Sequence, residues 1–160
     1  MSEPLRASSQ RVQEFLNGKG YDFTVRELAS STRTAQEAAD SVGCSVAQIA
    51  KSIIFRNKAD NTPVLVVASG ANRVNTRKIE QAAGIKLGKA DADFVRAEIG
   101  YAIGGVPPIA HIQKVTTFLD PDLQQHEVIW AAAGTPNSLF ELKPADLALL
   151  TEGQWMDIAE

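Results

Sequence analysis

Two short runs of β-branched and aromatic residues constrain the fold of this chain more than any other feature of its sequence. The runs are residues 51–56 and 63–68, and a mostly polar six-residue linker joins them. Segments of this length and composition form strands, and a short linker connects neighbouring strands that run in opposite directions. We therefore predict that the two runs pair as an antiparallel hairpin.

Helix signals lie on both sides of this hairpin. Apolar residues recur at helical spacing, a capping box is present at Thr34 and Glu37, and several periodic segments end at a glycine. Pro144 occupies the position that proline favours in the first turn of a helix. The predicted helical segments are 8–17, a short helix from Thr34 to Gly43, a helical turn in 45–50, 76–83, 90–99 and a closing helix from Pro144.

Further strands are predicted where apolar residues alternate or β-branched residues cluster, at 21–28, 114–119, 127–133 and 138–142. Strands and helices do not alternate regularly, which disfavours a doubly wound nucleotide-binding fold. The predicted fold class is α/β of the α+β type, with a mainly antiparallel mixed sheet curled into a barrel and surrounded by helices. At 160 residues, we expect a single domain over residues 1–160.

Targeting and membrane signals are weak in this sequence. Its longest uncharged apolar stretch, residues 63–68, is far shorter than the roughly 20 residues that span a bilayer. Residues 1–6 lack the apolar core of a secretory signal. We therefore predict a cytoplasmic protein that does not bind membranes.

Charge is distributed unevenly along the chain. Residues 51–114 carry ten basic and five acidic side chains, whereas the whole chain has a net charge of −3. Affinity for phosphates depends on the local field, so a basic middle segment can bind a polyanion on an acidic protein. The other interpretation is that these lysines and arginines are merely solvated on the surface.

Several common catalytic devices are missing. No nucleophile-elbow motif occurs, and Cys44 has no histidine near it in sequence, so we interpret it as a small apolar residue. The glycine pair at 84–89 is too close for a phosphate loop and is followed by Ala90 instead of Ser or Thr, which predicts a plain turn. One cysteine, two histidines and scattered acids form no metal-ligand pattern. The default expectation is a mechanism without metal or cofactor.

The unusual segments are two glycine turns and one lysine. Gly104 and Gly105 precede two prolines, and adjacent glycines allow a ligand to approach bare backbone N–H groups. A second turn at Gly134 has the same double interpretation, since either segment could equally be a rigid connection. Lys51 begins an apolar strand, where partial desolvation would strengthen its attraction to a phosphate or an oxyanion. His111 could lie near the same site, although a structural role is the alternative.

Four motifs, at residues 50–55, 64–72, 100–108 and 133–136, occur in an order that resembles the YbaK/ProX family. These are free-standing editing domains, similar to the insertion domain of bacterial prolyl-tRNA synthetase, that hydrolyse the ester of mischarged aminoacyl-tRNA. The resemblance extends over nearly the whole chain. It implies that Lys51 engages the terminal phosphate or adenosine of the tRNA. It also implies that the backbone of Gly104 and Gly105 holds the aminoacyl carbonyl and the water.

The remaining site residues form the expected substrate pocket. The resemblance implies that the turn at Gly134, with Thr135 and Pro136 beside it, is part of the pocket wall that faces the amino acid. YbaK has Ser-Gly-Gly where this chain has Ala132-Ala133-Gly134, which leaves the preferred amino acid open. The expected substrate-binding residues are Val106, Pro107, His111, Gly134, Thr135 and Pro136.

The hypothesis from the sequence is a metal-independent aminoacyl-tRNA deacylase. It would remove a small wrong amino acid, alanine or cysteine, from tRNAPro, acting on the acceptor end and with prolyl-tRNA synthetase as a possible partner. An aminoacyl ester is already activated, so such an enzyme needs no nucleophile of its own. The alternative is a non-catalytic module of the same fold that binds tRNA 3′ ends or a synthetase.

Overall fold

A computed structural model describes residues 7–160. Residues 1–6, on which the argument against a secretory signal depends, lie outside the described part. The α-helices are α1 Ala7–Gly18, α2 Ala35–Val42, α3 Thr76–Ala83, α4 Ala92–Ile99 and α5 Pro144–Thr151. The strands are β1 Arg26–Glu27, β2 Ile49–Asn57, β3 Pro63–Ser69, β4 Leu87–Lys89, β5 Thr116–Leu119, β6 Ile129–Ala132, β7 Ser138–Leu142 and β8 Gln154–Trp155.

The predicted hairpin is present at the centre of the sheet. β2 and β3 pair antiparallel over seven residue pairs, and Lys51 lies opposite Ala68. Every residue of β3 is buried, because apolar clusters cover both faces of the hairpin. Leu65 and Val67 face one cluster, whereas Val64 and Val66 face the other.

The eight described strands form one mixed sheet in the order β1-β7-β6-β2-β3-β5-β8, and β4 pairs with β2 on the edge where β6 pairs with the start of that strand. Four pairings between these strands are antiparallel and three are parallel. The mixed α/β class is therefore confirmed. β1 and β8 end the path without pairing with each other, so the expected closure into a barrel is not confirmed.

The capping signals that the sequence predicted for α2 are confirmed. Thr34 accepts a hydrogen bond from the Glu37 N–H at 3.1 Å, Glu37 accepts one from the Thr34 N–H at 3.2 Å, and Gly43 ends α2 in the left-handed conformation. α3 has the predicted bounds. α4 begins at Ala92, two residues later than predicted, because Asp91 caps it by accepting from the Phe94 N–H at 2.8 Å.

The strand predicted at 21–28 is wrong over most of its length. Among the described residues, only Arg26–Glu27 of this segment pair with another strand. The side chain of Gln13 replaces a neighbouring strand here: its amide donates to the Phe23 carbonyl at 2.7 Å and accepts from the Val25 N–H at 2.8 Å. The alternation of apolar residues that predicted a strand does correspond to alternating burial, but Gln13 of α1 makes the backbone hydrogen bonds that a neighbouring strand would make.

Other strand predictions need smaller corrections. Leu87–Lys89 pair with β2, so the plain turn expected at 84–89 contains a short strand. The strands predicted at 114–119 and 127–133 begin two residues later, and the second also ends one residue earlier, as β5 and β6. The helical turn expected in 45–50 covers only Val46–Gln48, since Ile49 and Ala50 already belong to β2.

Within residues 7–160, no helix combines the length and the apolar character that crossing a bilayer requires.

Candidate active site

A cavity of about 710 Å³ lies along one edge of β2. On that edge β6 pairs with Ile49 and Ala50, and β4 pairs from Phe55 onward. Residues 51–54 therefore have no strand partner on this side among the described strands, and they line the cavity instead. Its volume is within the range of roughly 300–1,000 Å³ that is typical of small-molecule sites.

The wall of this cavity is largely apolar and its charges are all positive. Arg33, Lys51 and Lys89 line it, and none of the described lining residues is acidic. Arg33 and Lys89 are exposed and form no ion pair within the described part of the chain. The apolar side chains of the wall include Ile49, Ile54, Val95, Val106 and Leu139. Such a cavity suits a ligand that combines a small apolar group with a phosphate.

Lys51 is held at the cavity by the turn that follows β3. Its Nζ donates a hydrogen bond to the carbonyl oxygen of Asn72 at 2.6 Å. Partial burial lowers the pKa of the Lys51 ammonium, the charge of Arg73 lowers it further, and Asp120 opposes both effects. The junction between a helical turn and an apolar strand therefore gives the desolvated lysine that the sequence suggested.

The two glycine turns are in direct contact. The Gly134 N–H donates to the Gly105 carbonyl at 2.9 Å. A Cβ on Gly105 would lie 2.5 Å from the carbonyl carbon of Thr135, so only glycine allows this approach of two backbones. Gly104 has a φ of +99° and lies beneath Arg33, whose Nε would be 3.2 Å from a Cβ there.

The two residues of the first glycine turn differ in what they offer to a ligand. Gly104 is half-buried and lines the cavity. Gly105 is buried, and its N–H donates to the Ala102 carbonyl at 3.2 Å while its carbonyl accepts from Gly134. A backbone role in catalysis therefore remains a prediction for both, and Gly104 is the one that is open to the cavity.

The remaining expected site residues divide into those at the cavity and those behind it. Val106 is buried and lines the cavity, whereas the other expected residues are not part of its wall. His111 donates from Nε2 to the Pro107 carbonyl at 2.7 Å, and burial lowers the pKa of this histidine. The Thr135 hydroxyl donates a hydrogen bond to the Ser138 hydroxyl at 2.7 Å. The backbone of Thr135 packs against Gly105, and the bond from His111 to Pro107 closes the loop that follows the glycine turn.

Pro136 has a structural connection to the cavity rim. Its carbonyl oxygen accepts hydrogen bonds from the Thr32 N–H at 2.6 Å and from the Thr32 hydroxyl at 3.1 Å. Thr32 precedes Arg33, and both residues line the cavity. The second glycine turn thus fixes the segment that carries the cation over Gly104.

Two expectations about other chemistry can be compared with the structure. Cys44 is half-buried among apolar side chains, and burial raises the pKa of its thiol, which makes it a poor nucleophile. No group of three His, Cys, Asp or Glu side chains within residues 7–160 is arranged to hold a metal ion.

The sequence analysis did not identify Arg33, Lys89 or Asn72 as site residues, nor Asp120, which accepts a hydrogen bond from the Asn72 side chain. Arg33 lies 18 positions before Lys51, and no periodicity connects the two. Asn72 belongs to the motif 64–72, which was its only signal, while Asp120 directly follows β5 and carried none.

Residues 29–150 match the model of the aminoacyl-tRNA editing domain family. The chain belongs to this family, as the YbaK/ProX resemblance implied. One solved structure, described as "a putative trans-editing enzyme for prolyl tRNA synthetase", superposes with a TM-score of 0.93 at 41% identity, covering 98% of this chain and 99% of the other.

Curated relatives extend the comparison. YwhH of Bacillus subtilis, an uncharacterised protein, is 31% identical over 85% of this chain and 87% of its own. EbsC of Enterococcus faecalis, named "Putative Cys-tRNA(Pro)/Cys-tRNA(Cys) deacylase", is 30% identical over 88% of this chain and 84% of EbsC. A proline–tRNA ligase of Limosilactobacillus fermentum is 30% identical over 62% of this chain, which corresponds to 18% of the ligase.

Proposed function

We propose that this chain is an aminoacyl-tRNA deacylase that hydrolyses the ester of a small wrong amino acid on tRNAPro. The observation that carries the proposal is the cavity beside Lys51, which has apolar walls, cations at Arg33 and Lys89 and no acidic residue among its described lining. The 3′ end of a charged tRNA combines the two matching features, a small aminoacyl group and a chain of phosphates. Membership of the editing-domain family supports the same assignment.

The proposed reaction requires positioning more than a protein nucleophile. A water attacks the ester carbonyl carbon, the bond to the ribose oxygen breaks, and a proton from the water passes to that oxygen. The products are the free amino acid and uncharged tRNA. Lys51 would bind the terminal phosphate or the adenosine region, and the Gly104 backbone would face the carbonyl. Orientation and stabilisation of the developing negative charge are the main contributions to such a rate.

Alanine and cysteine are the proposed amino acids. The apolar wall at Ile49, Val95 and Leu139 favours a small uncharged side chain, and the described lining has no acidic residue to pair with a basic one. A difference of one methylene between two small substrates changes binding by only about 1–3 kcal/mol. We therefore expect overlapping activity on alanyl and cysteinyl esters. The EbsC name gives cysteinyl esters of tRNAPro and tRNACys for that relative.

The proposal includes the binding partners and the cellular location of the protein. The acceptor end of tRNAPro is the proposed ligand, and prolyl-tRNA synthetase, which would produce the mischarged ester, is a proposed partner. We propose that residues 1–160 act as one editing domain in the cytoplasm, where the aminoacyl-tRNA pool is used for translation.

The test is a deacylation time course with tRNAPro charged with alanine, cysteine, serine or proline. We expect fast loss of alanine or cysteine and survival of prolyl-tRNA. After the tRNA has been folded, a chelator is added to remove free divalent ions. The deacylation rate should not change, since we propose a metal-independent step. If none of the four esters were hydrolysed faster with the protein than without it, the result would contradict the proposal. If tRNA still bound with salt-sensitive affinity, that result would favour a non-catalytic tRNA-binding module.

A further inference from the structure

A chain of hydrogen bonds connects Lys51 to a buried carboxylate outside the cavity wall. Lys51 Nζ donates to the Asn72 carbonyl at 2.6 Å. The Asn72 side-chain amide donates to Asp120 Oδ2 at 2.8 Å and to Asp122 Oδ2 at 2.7 Å. Asp120 is only 1% exposed, whereas Asp122 is on the surface. One asparagine thus contacts the lysine with its backbone and two acids with its side chain.

Asp120 is itself fixed on three sides. Its Oδ2 also accepts from the Ser69 N–H at 3.0 Å, and its Oδ1 accepts from the Asp122 N–H at 3.0 Å. The hydroxyl of Ser69 donates to the Ala47 carbonyl at 2.8 Å. A carboxylate with three donors has one stable orientation, so it determines where the Asn72 amide lies.

The turn that carries Asn72 is also packed closely at Gly70. A Cβ on Gly70 would overlap the Val46 carbonyl and lie 2.8 Å from the Cβ of Ala35. The Gly70 N–H also donates to the Ile49 carbonyl at 2.7 Å. The turn is therefore held between β2, α2 and Asp120, and the Asn72 carbonyl is a fixed acceptor.

We propose that Asn72 and Asp120 are positioning residues for Lys51: the buried carboxylate orients the asparagine, whose carbonyl holds the ammonium at the cavity. This proposal rests on the proposed function, because it assigns a purpose to the orientation of Lys51. An ammonium has three donors, and the Asn72 carbonyl takes one of them. The other two remain for the phosphate or adenosine of the substrate.

Orientation before binding is useful because a free lysine must give up rotamer freedom when it binds a ligand. A misplacement of about 1 Å can cost on the order of 100-fold in rate. Burial and the charge of Arg73 lower the pKa of the Lys51 ammonium, and Asp120 opposes them, so the same carboxylate that orients Asn72 also favours the charged lysine. The positioning effect operates through Lys51 alone, which separates it from a general effect on folding.

The test is a mutant cycle. Asn72→Ala keeps the backbone carbonyl of residue 72 and removes the side-chain link to Asp120. The protein should therefore fold, but this carbonyl should no longer be held in one position. We expect a loss of deacylation on the order of 100-fold, in the same kinetic parameter, kcat or KM, that Lys51→Ala changes. In the Lys51→Ala background the same substitution should cause no further loss. Asn17→Ala, on the surface of α1, is the matched control and should leave the rate unchanged.

Asp120→Asn provides a second variant. It retains an acceptor for the Asp122 N–H but presents an amide to the Asn72 amide and the Ser69 N–H. We expect the same kinetic pattern as for Asn72→Ala. Equal losses with and without Lys51, or no loss in either variant, would overturn the proposal.

A readout that needs no activity keeps this proposal separate from the proposed function. Hydrogen exchange of the Lys51 ammonium can be followed by 15N NMR, with Lys51→Ala used to assign the signal. We expect slow exchange in the wild type and faster exchange in Asn72→Ala. An unchanged exchange rate would overturn the positioning role. A protein that hydrolyses no ester but shows the expected exchange would contradict only the proposed function.

Discussion

The Gly134 N–H donates a hydrogen bond to the Gly105 carbonyl at 2.9 Å, which joins two glycine turns that are 29 positions apart in sequence. The first turn carries Gly104 to the cavity, and the second fixes Thr32 and Arg33 through Pro136. One backbone contact therefore connects the turn that carries Gly104 to the segment that carries Arg33.

Gly105→Ala should destabilise the protein. The added Cβ would lie 2.5 Å from the Thr135 carbonyl carbon, and backbone atoms cannot rotate away. We expect a loss of about 1–3 kcal/mol in the free energy of unfolding, as for other overpacked sites, measured by urea denaturation. Gly18→Ala is the control, since a Cβ there would meet nothing within 4 Å. Equal stability of the two variants would show that the two turns do not pack as described.

Arg33 and Lys89 should contribute separately to tRNA binding. Both line the cavity, are exposed and form no ion pair within the described residues. Each phosphate contact on a single strand contributes about 0.7 to the slope of log affinity against log salt. Arg33→Gln and Lys89→Gln should each weaken binding and reduce that slope by roughly this amount.

Lys143→Gln is the matched control for these two variants, because Lys143 is exposed and does not line the cavity. Titrations of fluorescent tRNAPro at several salt concentrations provide the slopes. Slopes equal to the wild-type slope in both cavity variants would remove these cations from the binding surface.

The sequence predicts structure well where a local signal decides it. The Thr34–Glu37 capping box and the β2–β3 hairpin are examples, because their contacts connect residues that are close in sequence. The segment at 21–28 shows the limit: its burial alternates as in a strand, but the Gln13 side chain bonds its backbone from α1. No pattern within the segment could reveal that partner.

Long-range contacts explain most of what the sequence left open. β3 and β5 pair in parallel although they are almost 50 residues apart, and nothing in either strand specifies the other. The site follows the same rule. Lys51 and Gly104 were apparent as an unusual lysine and an unusual turn, whereas Arg33 and Asp120 become site residues only through the folded arrangement.

His111 should make stability depend on pH. Burial lowers the pKa of this histidine below its ordinary value of 6.5, so the folded state resists protonation more than the unfolded state does. Stability should therefore be greatest above about pH 6.5 and fall as the pH drops from there towards the lowered pKa. His111→Gln retains an N–H donor for the Pro107 carbonyl and has no charge to gain.

The measurement is the free energy of unfolding of wild type and His111→Gln between pH 5 and pH 8. We expect the wild type to lose more stability than the variant on acidification, so that the two curves converge or cross at low pH. Parallel curves over the whole interval would contradict the account of His111.

The most direct test of the central claim is the single-turnover deacylation rate of Lys51→Ala beside the wild type, on alanyl- and cysteinyl-tRNAPro. Lys114→Ala is the matched control, because Lys114 is exposed and pairs with Glu152 on the surface. The account predicts that Lys51→Ala folds normally and is slower on the order of 100-fold, while the control equals the wild type. Wild-type rates in Lys51→Ala would contradict the claim that this cavity is the active site.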